Sequence, residues 1–182
     1  MNFLFTVAQC YTPAFLKKRE LMNLFHITAS AFETTIPSIA GLSFEESLAK
    51  FAHFTKAETE HAITCNGELH TIQDRLYEGA YRFGDKFRKR FHISTIDDVM
   101  EVSRLLYRIL GIDFLGSAQG TITISKCYFS HTYSSSICRV VSSLDAGMIA
   151  GLSGGGVLAF SDRITEGFEF CKAQFIKKEQ LH

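Results

Sequence analysis

The sequence predicts an α+β fold: a helical N-terminal two thirds packed on a small antiparallel sheet, with a long C-terminal helix and a final β-hairpin. Three observations carry that expectation. Apolar residues recur at helical spacing up to Leu110, and β-branched and aromatic residues take over after Gly120. The run Gly154-Gly155-Gly156 then separates a helical stripe from two strand-like segments. At 182 residues the chain is about one domain long, so 1–182 is read as a single domain, with 1–70 a helical N-terminal extension and 71–178 the core.

Each element has a local cause. Thr12-Pro13 sets a capping hydroxyl before a proline at the first helical position, and Phe15, Leu21, Leu24, Phe25, Thr28, Ala31 and Phe32 follow up to the stop at Ile36-Pro37. Ser43 and Glu46 form a capping box for a second helix that turns Phe44, Leu48, Phe51 and Phe54 toward the core and ends at Asn66-Gly67. A third helix spans 71–91, with Leu76, Phe83, Phe87 and Phe91 inward. Thr95 with Asp98 opens the fourth, whose stripe is Ile96, Val99, Met100, Ser103, Leu106, Tyr107 and Leu110; Gly111 ends it.

A strand over 121–129 precedes a helix over 134–152 striped by Ile137, Val141, Leu144, Met148 and Leu152. Strands over 157–164 and 168–176 are joined by Glu166-Gly167, read as a two-residue turn. The chain ends in a solvated Lys177-Lys178-Glu179 tail.

Composition excludes several classes. Hydrophobic residues at 46% and charged residues at 21% place the chain among globular proteins and away from disorder. Seventeen Phe and no Trp point to a core built on phenylalanine. Nineteen basic and nineteen acidic residues leave no net field to draw in nucleic acid or an anionic membrane, so neither is expected as a partner. The cluster Arg82, Lys86, Arg88, Lys89 and Arg90 lies on a helix and reads as a solvated face. The first residues lack a basic n-region and their apolar run stops at Ala8, so no signal peptide is read there. No stretch approaches the roughly 20 apolar residues of a spanning helix. Five cysteines, an odd number, are expected as free thiols in a reducing, cytoplasmic compartment.

The residues able to carry chemistry lie in the C-terminal third. Cys127 closes a strand, Cys138 sits in the first turns of the following helix and Cys171 lies on the last strand. None belongs to a CxxC or HxxxH pair, so no local zinc motif is present, yet the three can converge once the helix packs on the sheet. Strand parity puts Cys127 on the face of Thr123 and Ser125, and Cys171 on the face of Ala173 and Phe175. A turn at Glu166-Gly167 sets Asp162 opposite Cys171. On the helix, Cys138, Ser142 and Asp145 form a line bordering the apolar stripe. Against this stands the ordinary role of buried free cysteine as a small hydrophobe.

The glycines at 151–156 leave a helix and enter a strand, the reverse of a phosphate loop, and read as a C-cap. Ser134-Ser135-Ser136 lacks the glycines of a nucleophile elbow and reads as a cap. His131 reads as a solvent-facing loop residue. His53 and His61 are eight apart, too far for i, i+4 metal pairing. Glu166 is either an exposed turn residue or a carboxylate at a pocket mouth.

The ordered Cys127…Cys138…Asp145 series, followed by Glu166-Gly167 and Cys171 ahead of an aromatic strand residue, resembles the L-2-amino-thiazoline-4-carboxylate hydrolase-like family over about 75–174. The element order is also similar to the wider group of 4-vinyl-reductase-type small-molecule-binding domains. The first resemblance makes 71–178 a hydrolase-like, ligand-binding core that opens a small heterocyclic or amidine-like C–N bond. Cys138 is then the nucleophile, Cys171 the second choice, and Asp145 or Glu166 handles the proton. Its place near a helix N-terminus favours a lowered pKa for Cys138. The wider group implies a divalent metal such as zinc, with Cys138, Glu166 and Cys171 as the nearest equivalents of its ligands; the three thiols Cys127, Cys138 and Cys171, if they converge, are the other candidate set. The group's zinc sites have a second cysteine soon after the position of Cys171, and this chain has none there.

Three readings therefore stand side by side. The first is a cysteine-dependent hydrolase of a small polar molecule. The second is a non-catalytic sensor or carrier of a small-molecule ligand or metal, with a cavity near Phe83, Phe87, Phe129 and Phe160. The third is a subunit whose apolar surface builds a symmetric interface, a homodimer.

Overall fold

The computed structural model describes residues 13–65 and 69–177. The helical stretch comprises α1 (Ala14–Ala31), α2 (Phe44–Thr64), α3 (Leu69–Phe91) and α4 (Ile96–Ile109), as the periodicity predicts. Then come β1 (Asp113–Gly116), β2 (Thr121–Lys126), α5 (Ser135–Val141), α6 (Ser143–Ser153), β3 (Gly156–Asp162) and β4 (Cys171–Lys177). The sheet is antiparallel in the order β1-β2-β4-β3. The α+β class is as the sequence predicts. Among the described residues, no helix is long and apolar enough to cross a membrane.

Local chemistry sets the helix ends. Ser43 and Glu46 exchange hydrogen bonds at the start of α2, and Thr95 and Asp98 do the same for α4, both complete capping boxes. Gly154, with φ of 83°, ends α6, and the Gly155 N–H bonds back to the Ala150 carbonyl at 2.8 Å. The glycine run is thus a helix terminator, not a phosphate cradle. Pro13 occupies the N-cap position of α1; Thr12, Asn66-Gly67 and the Lys178-Glu179 end of the tail lie outside the described residues.

One hydrophobic core extends from Leu21 and Phe25 on α1, through Phe51, Val99 and Leu106, to Ile122, Ile149 and Phe175. Burying a side chain such as Phe25 or Phe175 contributes about 1.5–3 kcal/mol. Phe15, expected inward, is 70% exposed because it lies in the first turn of α1, ahead of the buried stripe that begins at Leu21. Helices α3 and α6 approach closely through glycine. A Cβ on Gly147 would strike the Tyr77 carbonyl, one on Gly151 the Tyr81 carbonyl, and one on Gly84 the Met148 carbonyl.

Four expectations need correction. The predicted strand over 121–129 stops at Lys126, and Tyr128–His131 forms a 3-10 turn that buries Phe129. The predicted helix over 134–152 breaks at Ser142, whose ψ of −7° splits it into α5 and α6. The last two strands are joined by a wider loop with a 3-10 turn at Ile164–Glu166, not by a two-residue turn. A bulge between Phe160 and Asp162 then shifts the register, so Asp162 pairs with Lys172, not Cys171, at 3.7 Å between charged groups.

Candidate functional site

The helices cover one face of the sheet, and between them lies a partly enclosed cavity of about 120 Å³. Its wall is overwhelmingly apolar: Leu106, Ile109 and Leu110 from α4, Phe83 from α3, Val141 from α5, Met148 from α6, Phe160 from β3, and Phe129. Leu106 follows the inward stripe of α4, and Met148 lines the cavity from α6 beside the glycine seam with α3. Phe87 does not line it.

All three C-terminal thiols reach this cavity, together with Asp145 and Ser142. Cys171 gets there as strand parity predicts, sharing the inward face with Ala173 and Phe175. The line Cys138, Ser142, Asp145 also holds, across the break between α5 and α6. Cys127 arrives by a route that parity misses. It sits one residue beyond β2, where the chain leaves the sheet and turns its thiol inward, away from the open face of Thr123 and Ser125.

The electrostatics differ from the sequence expectation. Burial pushes the Cys127 thiol up to about 12. Burial likewise raises Cys138 and Cys171. For Cys138 the nearby Asp145 adds to the rise, and the Thr165 hydroxyl and Arg163 charge offset it only in part. The lowered pKa expected at a helix N-terminus is therefore overruled by desolvation. Cys171 Sγ instead accepts the Ile164 N–H at 3.3 Å. Among the described residues, no group of three His, Cys, Asp or Glu is arranged to hold a metal ion. Cys127, Cys138 and Cys171 come from the end of β2, from α5 and from β4, and line the same cavity.

Asp145 is the most perturbed carboxylate. Desolvation raises it to about 6, against the lowering influence of the Tyr107 hydroxyl and the Arg163 charge. The Tyr107 hydroxyl donates to Asp145 Oδ1 at 2.6 Å and is itself held far above its ordinary pKa by burial. Arg163 bridges several groups. Its Nη2 donates to the Ser142 hydroxyl at 3.3 Å, Nη1 lies 3.8 Å from Glu166, and the guanidinium stacks over Phe160 at 4.6 Å. Glu166 stands behind Arg163, outside the cavity wall, and accepts from Arg139 Nε at 2.8 Å. It is a structural anchor of the loop, neither a bare turn residue nor a group facing the cavity. His131 is exposed and off the wall.

Sequence reasoning missed Tyr107, read as one member of an apolar stripe, and Arg163. A phenol in the middle of a buried stripe is the available signal for the first, since its hydroxyl needs a partner. The chain matches no family model, and neither a curated protein nor a solved structure shows significant similarity to it.

Proposed function

We propose that this domain binds a small, mainly apolar molecule of one-ring size in the cavity between α4, α5, α6 and the sheet. One observation carries the reading: a cavity of about 120 Å³ with apolar walls gathers four of its polar residues, Tyr107, Asp145, Ser142 and Arg163, near one another. That pattern is the usual make-up of a small-molecule site. The size is close to the about 150 Å³ apolar cavity that accepts benzene. Thermal unfolding with toluene tests the reading. Toluene raises Tm in the parent chain, and Val141→Trp, which fills the cavity, removes the rise while keeping a cooperative transition. No rise in the parent chain, or an equal rise in the filled variant, sinks the reading.

A hydrolytic role for the same site has one supporting observation. Asp145, held at about 6, shares the wall with Cys138, so a proton carrier and a thiol face the same space. In that reading Cys138 adds to the amidine-like carbon of a thiazoline-type substrate, and Asp145 passes the thiol proton to the nitrogen that leaves as the C–N bond breaks. Water then cleaves the C–S bond to Cys138 and restores the thiol. The raised Cys138 thiol makes it the second reading, because the thiolate is the nucleophile. Unchanged turnover of such a substrate by Cys138→Ala excludes it.

A further inference from the structure

We propose that the cavity selects a small apolar ring carrying one protonated amine, which docks on the free oxygen of Asp145. This rests on the reading of the cavity as a ligand site and specifies the ligand's polar end. Tyr107 occupies Asp145 Oδ1, and among the described residues no other donor reaches the carboxylate. The second oxygen carries no hydrogen bond from the described residues, and Asp145 lines the cavity as a partly buried residue. An N–H donor from the ligand satisfies that oxygen.

The local charge balance points the same way. Asp145 and Glu20 line the cavity; Glu20 already accepts from Arg19 at 2.6 Å and Asn23 at 2.9 Å. Arg163 and Glu166 are shielded from water, with side chains only 16% and 18% exposed. Around Asp145 itself, two carboxylates (Asp145 and Glu166) against one guanidinium leave one negative charge when Asp145 is ionised. Arg139, the other partner of Glu166, is 66% exposed, and solvent screens it. A monocation restores neutrality. The walls suit one as well, because Phe83, Phe129 and Tyr133 offer aromatic rings, whereas the Phe160 ring is already taken by Arg163. An anion is the poorer fit. The Arg163 Nε has no hydrogen-bond partner but is closed off from solvent, and its two terminal nitrogens face Ser142 and Glu166.

Calorimetric titration of the full chain at about pH 7.5 with benzylamine, benzyl alcohol and benzoate varies the head group on one ring. Benzylamine binds about ten- to a hundredfold tighter than benzyl alcohol, the usual gain of a charge-assisted hydrogen bond, and benzoate binds weakest. Asp145→Asn brings the amine-to-alcohol ratio close to one. Tyr107→Phe keeps the amine preference, since it leaves the carboxylate in place. Equal or tighter binding of benzoate or benzyl alcohol by the parent chain overturns the proposal without need of any variant. So does an amine preference that survives Asp145→Asn. If toluene and benzyl alcohol bind and the amine gains nothing, the head-group assignment fails and the cavity reading stands. If no ring compound binds, both fall.

Discussion

Helix α6 is packed in opposite ways on its two sides. Toward α3 it presents Gly147 and Gly151, so close to the Tyr77 and Tyr81 carbonyls that a single methyl has no room. On another face it presents Asp145 and Met148 to a cavity of about 120 Å³. The first side resembles a close-packed interior and the second departs from it. The two are linked, because a helix locked against α3 at the backbone cannot slide over to fill the space beyond. The tight side therefore supplies the rigidity that keeps the loose side open.

The sharpest way to break this comparison is on the tight side. Gly147→Ala is expected to lower stability by about 1–3 kcal/mol, the usual range for forced overpacking, and toward its upper end because the obstacle is backbone. Urea unfolding measures it. A loss below about 0.5 kcal/mol, the ordinary scatter of surface changes, means the seam is not close-packed.

Asp145→Asn is expected to stabilise the protein by about 1–2 kcal/mol at neutral pH. The folded chain binds the Asp145 proton at about 6, whereas an ordinary aspartate does so near 3.8. Between those values the folded state holds more protons than the unfolded one, so stability from this residue falls as pH rises to about 6 and stays reduced above it. Unfolding curves taken across that interval should show this slope in the parent chain, and Asp145→Asn should lack it. An identical slope in both chains assigns the titration to another group.

Met148→Phe, one residue from Gly147 but on the loose side, is expected to change stability by less than about 1 kcal/mol, because the cavity absorbs the added volume. A penalty equal to that of Gly147→Ala removes the distinction between the two sides. The smallest effect is kinetic. Cys127, Cys138 and Cys171 are raised thiols, while Cys65 is exposed. Alkylation at neutral pH, followed by peptide mass mapping, should therefore modify Cys65 well before those three. Early labelling of Cys138 means its thiolate is accessible and strengthens the hydrolytic reading.

Much of this was legible in local chemistry. The capping boxes at Ser43 and Thr95 place two helix starts from four residues each, since both partners lie within one turn. The inward face of Cys171, Ala173 and Phe175 follows from strand alternation alone. The line from Cys138 to Asp145 survives the break at Ser142 because ψ changes there without reversing the helix direction enough to turn Asp145 out of the cavity.

Whatever depended on where a strand stops was not legible. Parity assigned Cys127 to the open face because the apolar run continues to Phe129, whereas pairing with β4 spans only Thr121 to Ile124 and releases the chain soon after. The bulge before Asp162 moved it from Cys171 to Lys172, a one-residue shift that no sequence pattern marks.

By itself, then, the sequence determined the α+β class, the helix caps and the segment in which chemistry-bearing residues gather, because each rests on interactions within a few residues. Tertiary structure decided that burial raises the thiols, that Cys127 turns into the cavity, and that Tyr107 and Arg163 share the site with Asp145. Those properties arise from burial and from contacts between residues as far apart as 107 and 145, which desolvate and pair the side chains only after the helices close over the sheet.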